Sequence, residues 1–349
     1  MKKPDILKKA GTWRLLAMPL AAVITAAAGE AMAQDNACDF FKGKTVELVV
    51  PFEPGGGFDI YGRMVAKFMS DELGVSHMIV RNQPGAGGLL ATNQTWKSKP
   101  DGLRIQLMST SGMITAEVGG AEGVGFKSGE FSWIGRVTGE PDIIATSPEG
   151  GVEGVDALAR ISAERKVRIG SSGVGDIDYV EAELLKIIFD LNSDIITGFS
   201  GAPEVYTSLA RGELDLFTSS LSGAVVAVKA ESGKPLWVFD TEGTDVMPDV
   251  KPLSEVIDPQ FLPLVEAHSN VIAAGRALAA PPGVDEARLT CLRDAFDRTM
   301  AGEGLMEESR KLNRPVQPLT GAEIDEMISS VTEGAPQVYV DLLKQTYGQ

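Results

Sequence analysis

The chain has 349 residues, of which 32 are lysine or arginine and 48 are aspartate or glutamate, giving a formal net charge of −16. This length is enough for two domains, and an apolar fraction of 44% is ordinary for a globular protein. The acidic excess repels nucleic acid and anionic lipid headgroups, and so excludes both as partners. It also opposes anionic ligands at long range, so a site for an anion has to be built from local dipoles.

Residues 1–33 have the composition of a secretory signal peptide. Five basic residues precede an apolar run from Leu15 to Ala28. Ala31-Met32-Ala33 then supplies the small residues that a signal peptidase recognises. The alternative is a membrane anchor, but a run of about 14 apolar residues is too short to span a bilayer. We expect cleavage near Ala33 and a periplasmic protein. The leader also holds two acidic residues, so the mature chain has 27 basic and 46 acidic residues and a net charge of −19.

Short apolar segments alternate with amphipathic ones along the mature chain. Val46 to Phe52 is predicted as a strand, and Ile60 to Met69 as a helix with apolar residues at helical spacing. A further helix is predicted from Val284 to Met300. Other strands are predicted at 78–80, 104–108, 143–146, 167–170, 195–199, 214–217 and 236–239. This alternation predicts an α/β fold with mainly parallel sheets flanked by helices.

Two segments, Phe131–Thr138 and Asn270–Ala280, are predicted to carry the chain from one lobe to another. They divide the mature chain into a discontinuous lobe 1, residues 34–138 and 265–349, and an inserted lobe 2, residues 139–264. A cleft between two such lobes suits a small ligand.

The mature chain has two cysteines, Cys38 and Cys291. In an oxidising compartment we expect them to form a disulfide bond, which would tie the N-terminal segment to a C-terminal helix. The alternative is two separate buried thiols.

A glycine-rich turn follows the first predicted strand, at residues 51–59. Its sequence is Pro-Phe-Glu-Pro-Gly-Gly-Gly-Phe-Asp, and Asp59 is predicted to be the N-cap of the helix that follows. Free N–H groups at a helix start and in a glycine turn form a pocket for an anion. The alternative is a tight connection without a ligand. Neither Gly-x-Gly-x-x-Gly nor Gly-Lys-Ser/Thr is present here, so the turn does not predict a nucleotide or any other cofactor.

A second turn of this kind, residues 170–176, leads into a helix that carries Val180, Leu184, Ile187 and Ile188 on its apolar face. We expect the two turns to face each other across the cleft and to hold a carboxylate from both sides. Each helix start contributes roughly 0.3–2 kcal/mol, depending on its burial, which offsets the repulsion by the net charge locally.

Six segments in this order resemble the receptors of tripartite tricarboxylate transporters, also called Bug receptors. The segments are Pro51–Asp59, Asn82–Gly88, Pro100–Gly102, Gly170–Gly175, Ser200–Pro203 and Gly212–Leu216. The resemblance covers the mature chain and implies a type II periplasmic-binding-protein fold with a hinged cleft between two lobes. It implies a monomeric receptor that delivers its ligand to a large and a small membrane subunit. Members bind di- and tricarboxylates, some amino acids and aromatic acids, largely through backbone amides and ordered water.

The resemblance also implies which residues bind the ligand, carried over position by position. They are Phe52, Glu53, Gly56, Gly57, Asp59, Ser109, Thr110, Ser171, Ser172, Gly175, Asp176, Ser200, Ala202, Pro203 and Ser219. The chain departs from the family pattern in having Asp176 in place of Ser or Thr, and Asp178 where a polar non-acid is frequent. It also has Ser219 where Asp is frequent, and Glu53 where a small or apolar residue is usual.

Asp176 has two interpretations. It is either a helix cap that accepts hydrogen bonds from nearby backbone amides, or a carboxylate that favours a ligand with a cationic or hydroxyl group. His77 and His268 are the only histidines and are far apart in sequence, so no metal site is predicted.

Two other functions compete with transport. A hydrolase is disfavoured because Gly-x-Ser-x-Gly is absent and no histidine flanks a suitable serine. A ligand-sensing partner of a membrane kinase would bind its ligand in the same way.

Overall fold

The computed structural model describes residues 37–149 and 152–348, so the predicted signal peptide lies outside the described residues. The strands are β1 (Thr45–Val50), β2 (His77–Asn82), β3 (Arg104–Ser109), β4 (Ser132–Thr138), β5 (Asp142–Thr146), β6 (Val167–Gly170), β7 (Ser193–Ile196), β8 (Leu216–Ser220), β9 (Lys234–Phe239), β10 (Arg276–Ala280) and β11 (Leu319–Thr320). The helices are α1 (Gly57–Leu73), α2 (Leu89–Trp96), α3 (Thr110–Val118), α4 (Val155–Glu164), α5 (Ile177–Ile188), α6 (Ala202–Ala210), α7 (Leu221–Lys229), α8 (Leu262–Ile272), α9 (Glu286–Ala301), α10 (Glu303–Leu312), α11 (Gly321–Glu333) and α12 (Gln337–Thr346).

The strands form two sheets, each flanked by helices. The first sheet has the order β11-β4-β10-β3-β1-β2 and the second has the order β7-β6-β8-β5-β9. The chain passes from the first sheet to the second between β4 and β5, and returns between β9 and β10. The boundary predicted at residues 264 and 265 falls inside α8, and the segment predicted at Phe131–Thr138 is largely strand β4.

The prediction of two α/β lobes is confirmed, but both sheets are mixed rather than mainly parallel. Strand β1 pairs in parallel with β2 and β3, and β6 pairs in parallel with β7 and β8. Strands β4, β5 and β10, which lie next to the passages between the sheets, pair with their neighbours antiparallel. A strand that arrives from the other sheet is not joined to its neighbour by a right-handed crossover, so the rule that predicts parallel pairing does not apply to it.

The apolar periodicity locates the elements well, and it misplaces some ends. Helix α1 starts at Gly57 rather than Ile60, and β7 ends at Ile196 rather than Phe199. Buried strands read as continuous apolar runs, as in Ile143 and Ile144 of β5, whereas the edge strand β2 alternates between exposed and half-buried residues. None of the helices in the described residues is long and apolar enough to cross a membrane.

The predicted disulfide bond is present between Cys38 and Cys291, with 5.5 Å between the Cα atoms. Cys291 lies on the buried face of α9, and Cys38 packs against the same apolar cluster. The bond therefore fixes the N-terminal segment to the core of the first lobe.

Five helices begin around the space between the two sheets. Helix α3 follows β3 directly and α7 follows β8 directly, while α1, α5 and α6 follow β1, β6 and β7 after short turns. Because the first N–H groups of a helix have no partner within it, the fold gathers several sets of hydrogen-bond donors at one place. This is where a ligand binds in open α/β sheets, at the carboxyl ends of the strands.

Candidate functional site

A cleft of about 470 Å³ lies between the two lobes at these helix starts. Eleven of the predicted ligand-binding residues line it: Phe52, Glu53, Gly56, Gly57, Ser109, Ser172, Asp176, Ser200, Ala202, Pro203 and Ser219. The remaining four, Asp59, Thr110, Ser171 and Gly175, are not among the lining residues. Phe58, Phe217 and Ile272 add apolar surface, so the cleft has the mixed lining of a site for a small organic molecule.

The sequence predicted Asp59 as the N-cap of α1, and this prediction is wrong. The N-cap is Gly56, and Asp59 lies in the first turn of the helix, where its carboxylate reaches back to the N–H of Gly55 at 2.9 Å. Arg63 Nε and Asn82 Nδ2 also donate to it, at 2.9 and 3.0 Å. Burial raises the pKa of Asp59, but these hydrogen bonds outweigh it and hold the pKa below its ordinary value. Asp59 thus stabilises the shape of the turn and leaves the N–H groups at the start of α1 free for a ligand.

The loop before α6 faces this turn across the cleft. The N–H of Glu53 donates to the carbonyl of Ser200 at 3.3 Å, and a Cβ atom built on Gly56 would lie 3.6 Å from Pro203 Cδ. Gly201 is the N-cap of α6, and because glycine has no side chain it does not cap the first N–H groups of the helix. The starts of α1 and α6 therefore approach each other, one from each lobe, and their combined dipoles make this end of the cleft attractive to an anion.

The turn at 170–176, predicted to hold a ligand, uses the amides of Ser171, Ser172, Gly173 and Asp176 for hydrogen bonds within the protein. Asp176 is the N-cap of α5, as one of its two interpretations predicted, and it accepts from Ile177 N–H and from the hydroxyl groups of Ser109 and Ser172. Asp178 accepts from Ser172 N–H and from the hydroxyl groups of Ser171 and Ser172. Burial raises the pKa of both carboxyl groups, because few water molecules can solvate the charged form. Carboxyl groups of the protein thus accept hydrogen bonds that this turn was predicted to offer to a ligand.

Two predicted residues support the cleft rather than line it. Thr110 is buried, and its N–H donates to the carbonyl of Gly275 at 3.2 Å. Gly175 packs so closely that a Cβ atom there would lie 2.3 Å from Leu89 Cγ. Gly175 therefore forms a close packing contact between the lobes and does not line the cleft.

Arg276 is the main residue of the cleft that the sequence analysis missed. It is 8% exposed at the start of β10, and it donates to Glu140 Oε1 and to Ser220 Oγ, both at 2.8 Å. Its guanidinium carbon lies 4.7 Å from the ring centre of Phe58. Among the described residues that line the cleft it is the single cationic side chain. The sequence feature that could have identified Arg276 is its position as the one charged residue at the start of the otherwise apolar strand β10.

Glu140 and Asp142, which flank the start of β5, were also missed. Glu140 accepts from the N–H and the hydroxyl of Ser222 at 2.6 and 2.7 Å, and so caps the start of α7. Asp142 lines the cleft and is in hydrogen-bonding contact with the carboxyl group of Glu181. Behind Glu181 lies His268, whose pKa is lowered by burial to about 3, so this histidine is neutral.

Metal coordination has no support from the geometry of the described residues. No group of three or more His, Cys, Asp and Glu side chains within them could hold a metal ion. His77 is exposed on β2, whereas His268 is buried in α8.

The arrangement of the fold recurs in known proteins. A family profile described as the tripartite tricarboxylate transporter family receptor, TctC, matches residues 61–338. Protein BugT of Bordetella pertussis is 24% identical over 303 residues, which cover 84% of this chain and 86% of BugT. The structure of the periplasmic binding protein BugD superposes with a TM-score of 0.73 at 21% identity, covering 87% of this chain and 97% of BugD. MatC from Rhodopseudomonas palustris with bound malate superposes with a TM-score of 0.72 at 20% identity, covering 86% and 99%.

The family profile spans most of the described residues, including most of α1, every strand except β1 and most of the residues that line the cleft. The structural likeness independently shows the fold of a periplasmic binding protein. The chain therefore belongs to the tripartite tricarboxylate transporter receptor family.

Proposed function

We propose that this protein is a periplasmic receptor that binds a small organic carboxylate in the cleft between its lobes. The observation that carries the proposal is the approach of two helix starts, α1 and α6, beside the guanidinium group of Arg276. Together they supply N–H donors and one positive charge in a protein whose net charge is strongly negative. The volume of the cleft suits a molecule of the size of a small organic acid.

In this proposal the receptor is exported with cleavage near Ala33 and acts as a monomer. Lobe 1 (34–138 and 265–349) and lobe 2 (139–264) close on the ligand about a hinge. The loaded receptor then delivers it to the large and small membrane subunits of a tripartite transporter. Membership of the family supports this assignment, as does the malate bound by the similar MatC.

Binding without catalysis is part of the proposal. Neither histidine of the chain lines the cleft, and His268 is neutral and buried behind Glu181. Ser109 and Ser172 donate to buried carboxyl groups that also hold the turn at 170–176, and no histidine in the described residues bonds to a serine that lines the cleft. Incubation of bound ligands with the protein should therefore leave them chemically unchanged, as judged by mass spectrometry.

The binding step is tested with protein that has been unfolded and refolded to remove any co-purified ligand. A panel of carboxylates is screened by thermal shift, and hits are measured by isothermal titration calorimetry. A ligand at one hundred times its Kd adds about 2.7 kcal/mol to the stability.

Gly57→Ala tests where the carboxylate binds. A Cβ atom at Gly57 would lie 3.6 Å from Arg276 Nη2, so it is tolerated sterically but occupies the space between the helix start and the guanidinium group. We expect a loss of affinity of about tenfold or more with unchanged stability. Gly243→Ala is the control, because nothing lies within 4 Å of its added methyl group. Equal affinity of the Gly57→Ala variant and the wild type would contradict the proposed carboxylate position.

Transport and sensing are separated in cells. We expect a strain without this protein to lose uptake of the labelled ligand, and uptake to return with the wild type. Normal uptake combined with loss of a ligand-induced transcriptional response would favour the sensing receptor instead.

A further inference from the structure

The cleft has more negative than positive groups in its walls. Glu140, Asp142, Asp176 and Asp178 line its interior, and all four are buried. Arg276 is the one cationic side chain that the described lining residues contribute. A ligand that carries only negative charge would meet attraction at the helix starts and repulsion at these carboxyl groups.

Three of the four carboxyl groups have their hydrogen bonds supplied by the protein. Glu140 binds Arg276 and Ser222, whereas Asp176 and Asp178 accept from serine hydroxyl groups and from backbone N–H groups of their own turn. These groups serve to fix the turns and the arginine. They do not need a ligand to satisfy them.

Asp142 differs from the other three. The residue is 6% exposed and lines the cleft, and no N–H or alcohol group among the described residues donates to its carboxyl group. Its hydrogen-bonding neighbour is the carboxyl group of Glu181, which is fully buried in α5. Glu181 Oε2 likewise has no donor within the described part of the chain, and Oε1 lies 3.4 Å from the neutral ring of His268. Two carboxyl groups in such contact need either a shared proton or a cation.

The groups around Asp142 decide between these two states. Glu181 faces it from α5, Asp176 from the N-cap of α5, Glu140 from the turn before β5 and the hydroxyl of Tyr206 from α6, while Asp178 lies near Glu181. Arg276 on β10 is the one positive group beside it in the described chain, and that arginine already pairs with Glu140. Without a ligand, burial raises the pKa of Asp142 to about 7, so the pair shares a proton near neutral pH. A cation of the ligand would replace that proton.

The anion-binding end of the cleft is close to Asp142. Ser220 is the register partner of Asp142 and accepts from Arg276 Nη2, which in turn lies 3.6 Å from the Cβ position of Gly57 at the start of α1. A positive and a negative recognition group therefore lie side by side on one wall. This pattern complements a molecule that carries both charges.

We propose that the ligand of this receptor is a carboxylate that also carries a protonated amino group, and that Asp142, backed by Glu181, binds the amino group. The inference rests on the proposed function and narrows its ligand class. The carboxylate lies at the starts of α1 and α6 beside Arg276, and the ammonium group donates to Asp142. On binding, the proton shared by Asp142 and Glu181 is released to solvent, while the ammonium group keeps its own protons and supplies the compensating charge.

The test uses matched pairs of acids that differ only by an amino group, such as aspartate and succinate, glutamate and glutarate, and γ-aminobutyrate and butyrate. Affinity is measured by calorimetry at pH 7 in two buffers of different ionisation enthalpy, which also counts protons released or taken up. We expect the amino member of the best pair to bind at least about tenfold tighter, with net proton release.

Three variants locate the effect. Asp142→Asn should abolish both the preference and the proton release while keeping the binding of the amino-free acid. Glu181→Gln should keep the preference and also keep proton release from Asp142, because burial still raises the pKa of Asp142 when its carboxyl neighbour is replaced. Glu122→Gln removes an exposed carboxylate that does not line the cleft and should change neither. Circular dichroism and thermal melting verify the fold of each.

The possible results separate the two proposals. If the amino-free acids bind as well as or better than their partners, or bind with proton uptake, the inference about the amino group is overturned and the proposed carboxylate receptor stands. An unchanged preference in a folded Asp142→Asn variant would also overturn the role of Asp142. If no member of any carboxylate series binds, the proposed function fails and the inference fails with it.

Discussion

The pair Asp142 and Glu181 should make the stability of the ligand-free protein depend on pH in a direction opposite to that of ordinary carboxylates. The pKa of Asp142 is raised from 3.8 to about 7 by burial, against the attraction of Arg276. Between these two values the folded state holds a proton that the unfolded chain has lost. Asp142 therefore stabilises the unfolded chain relative to the folded one as pH rises from about 4 to about 7.

The magnitude follows from the shift. One pKa unit corresponds to about 1.4 kcal/mol, so the contribution of Asp142 falls by about 3 kcal/mol between pH 4.5 and 7.5. His268 acts in the opposite direction: its lowered pKa of about 3 leaves it neutral in the folded state, so its contribution is lost as pH falls below about 6.5. The net slope of the wild type combines these opposing effects with those of Asp176, Asp178 and Glu181, whose raised pKa values act in the same direction as that of Asp142.

The assay is urea denaturation of the ligand-free wild type and the Asp142→Asn variant at four pH values from 4.5 to 7.5. The contribution of His268 is common to both proteins and cancels in their difference. We expect the variant to gain about 3 kcal/mol relative to the wild type across this range, because the amide that replaces the carboxyl group cannot ionise. Easier ionisation of Glu181 in the variant acts in the same direction. A difference that stays constant with pH, or that shrinks as pH rises, would refute the reasoning.

Two further variants probe how the lobes meet and how the N-terminal segment is held. A Cβ atom at Gly87, where φ is +61°, would lie 2.3 Å from the N atom of Asp176 in the other lobe. Gly87→Ala should therefore weaken ligand binding at least about tenfold, as measured by calorimetry. Gly74→Ala is the control and should not change affinity, because Gly74 has a similar φ of +69° but nothing within 4 Å of the added methyl group. Equal affinities for these two variants would contradict the role of the lobe contact. Replacing both Cys38 and Cys291 by Ser should lower the free energy of unfolding by about 2–5 kcal/mol in denaturation experiments, without changing ligand affinity, because neither residue lines the cleft. A large loss of affinity in that folded variant would show that the disulfide also positions the site.

Local patterns predicted some of the site correctly. Asp176 directly before an amphipathic helix predicted the N-cap of α5, and the glycine turn before α1 predicted the open helix start. Asp59 misled because an acidic residue near a helix start serves equally well as the N-cap or in the first turn. Its partner, Asn82, comes from another strand, so the sequence near Asp59 could not distinguish the two.

The sequence by itself determined the alternation of strands and helices, the two cysteines available to pair, the glycine-rich turn before α1 and the family. Each of these depends on residues close together in the chain or on their order. The tertiary structure decided which amides stay free, because Asp176 and Asp178 consume those of one turn while the start of α6 offers its own. It also brought Arg276, Asp142 and Glu181 together from three distant segments. Charge recognition acts over a few ångströms through space, and that proximity is set by packing rather than by position along the chain.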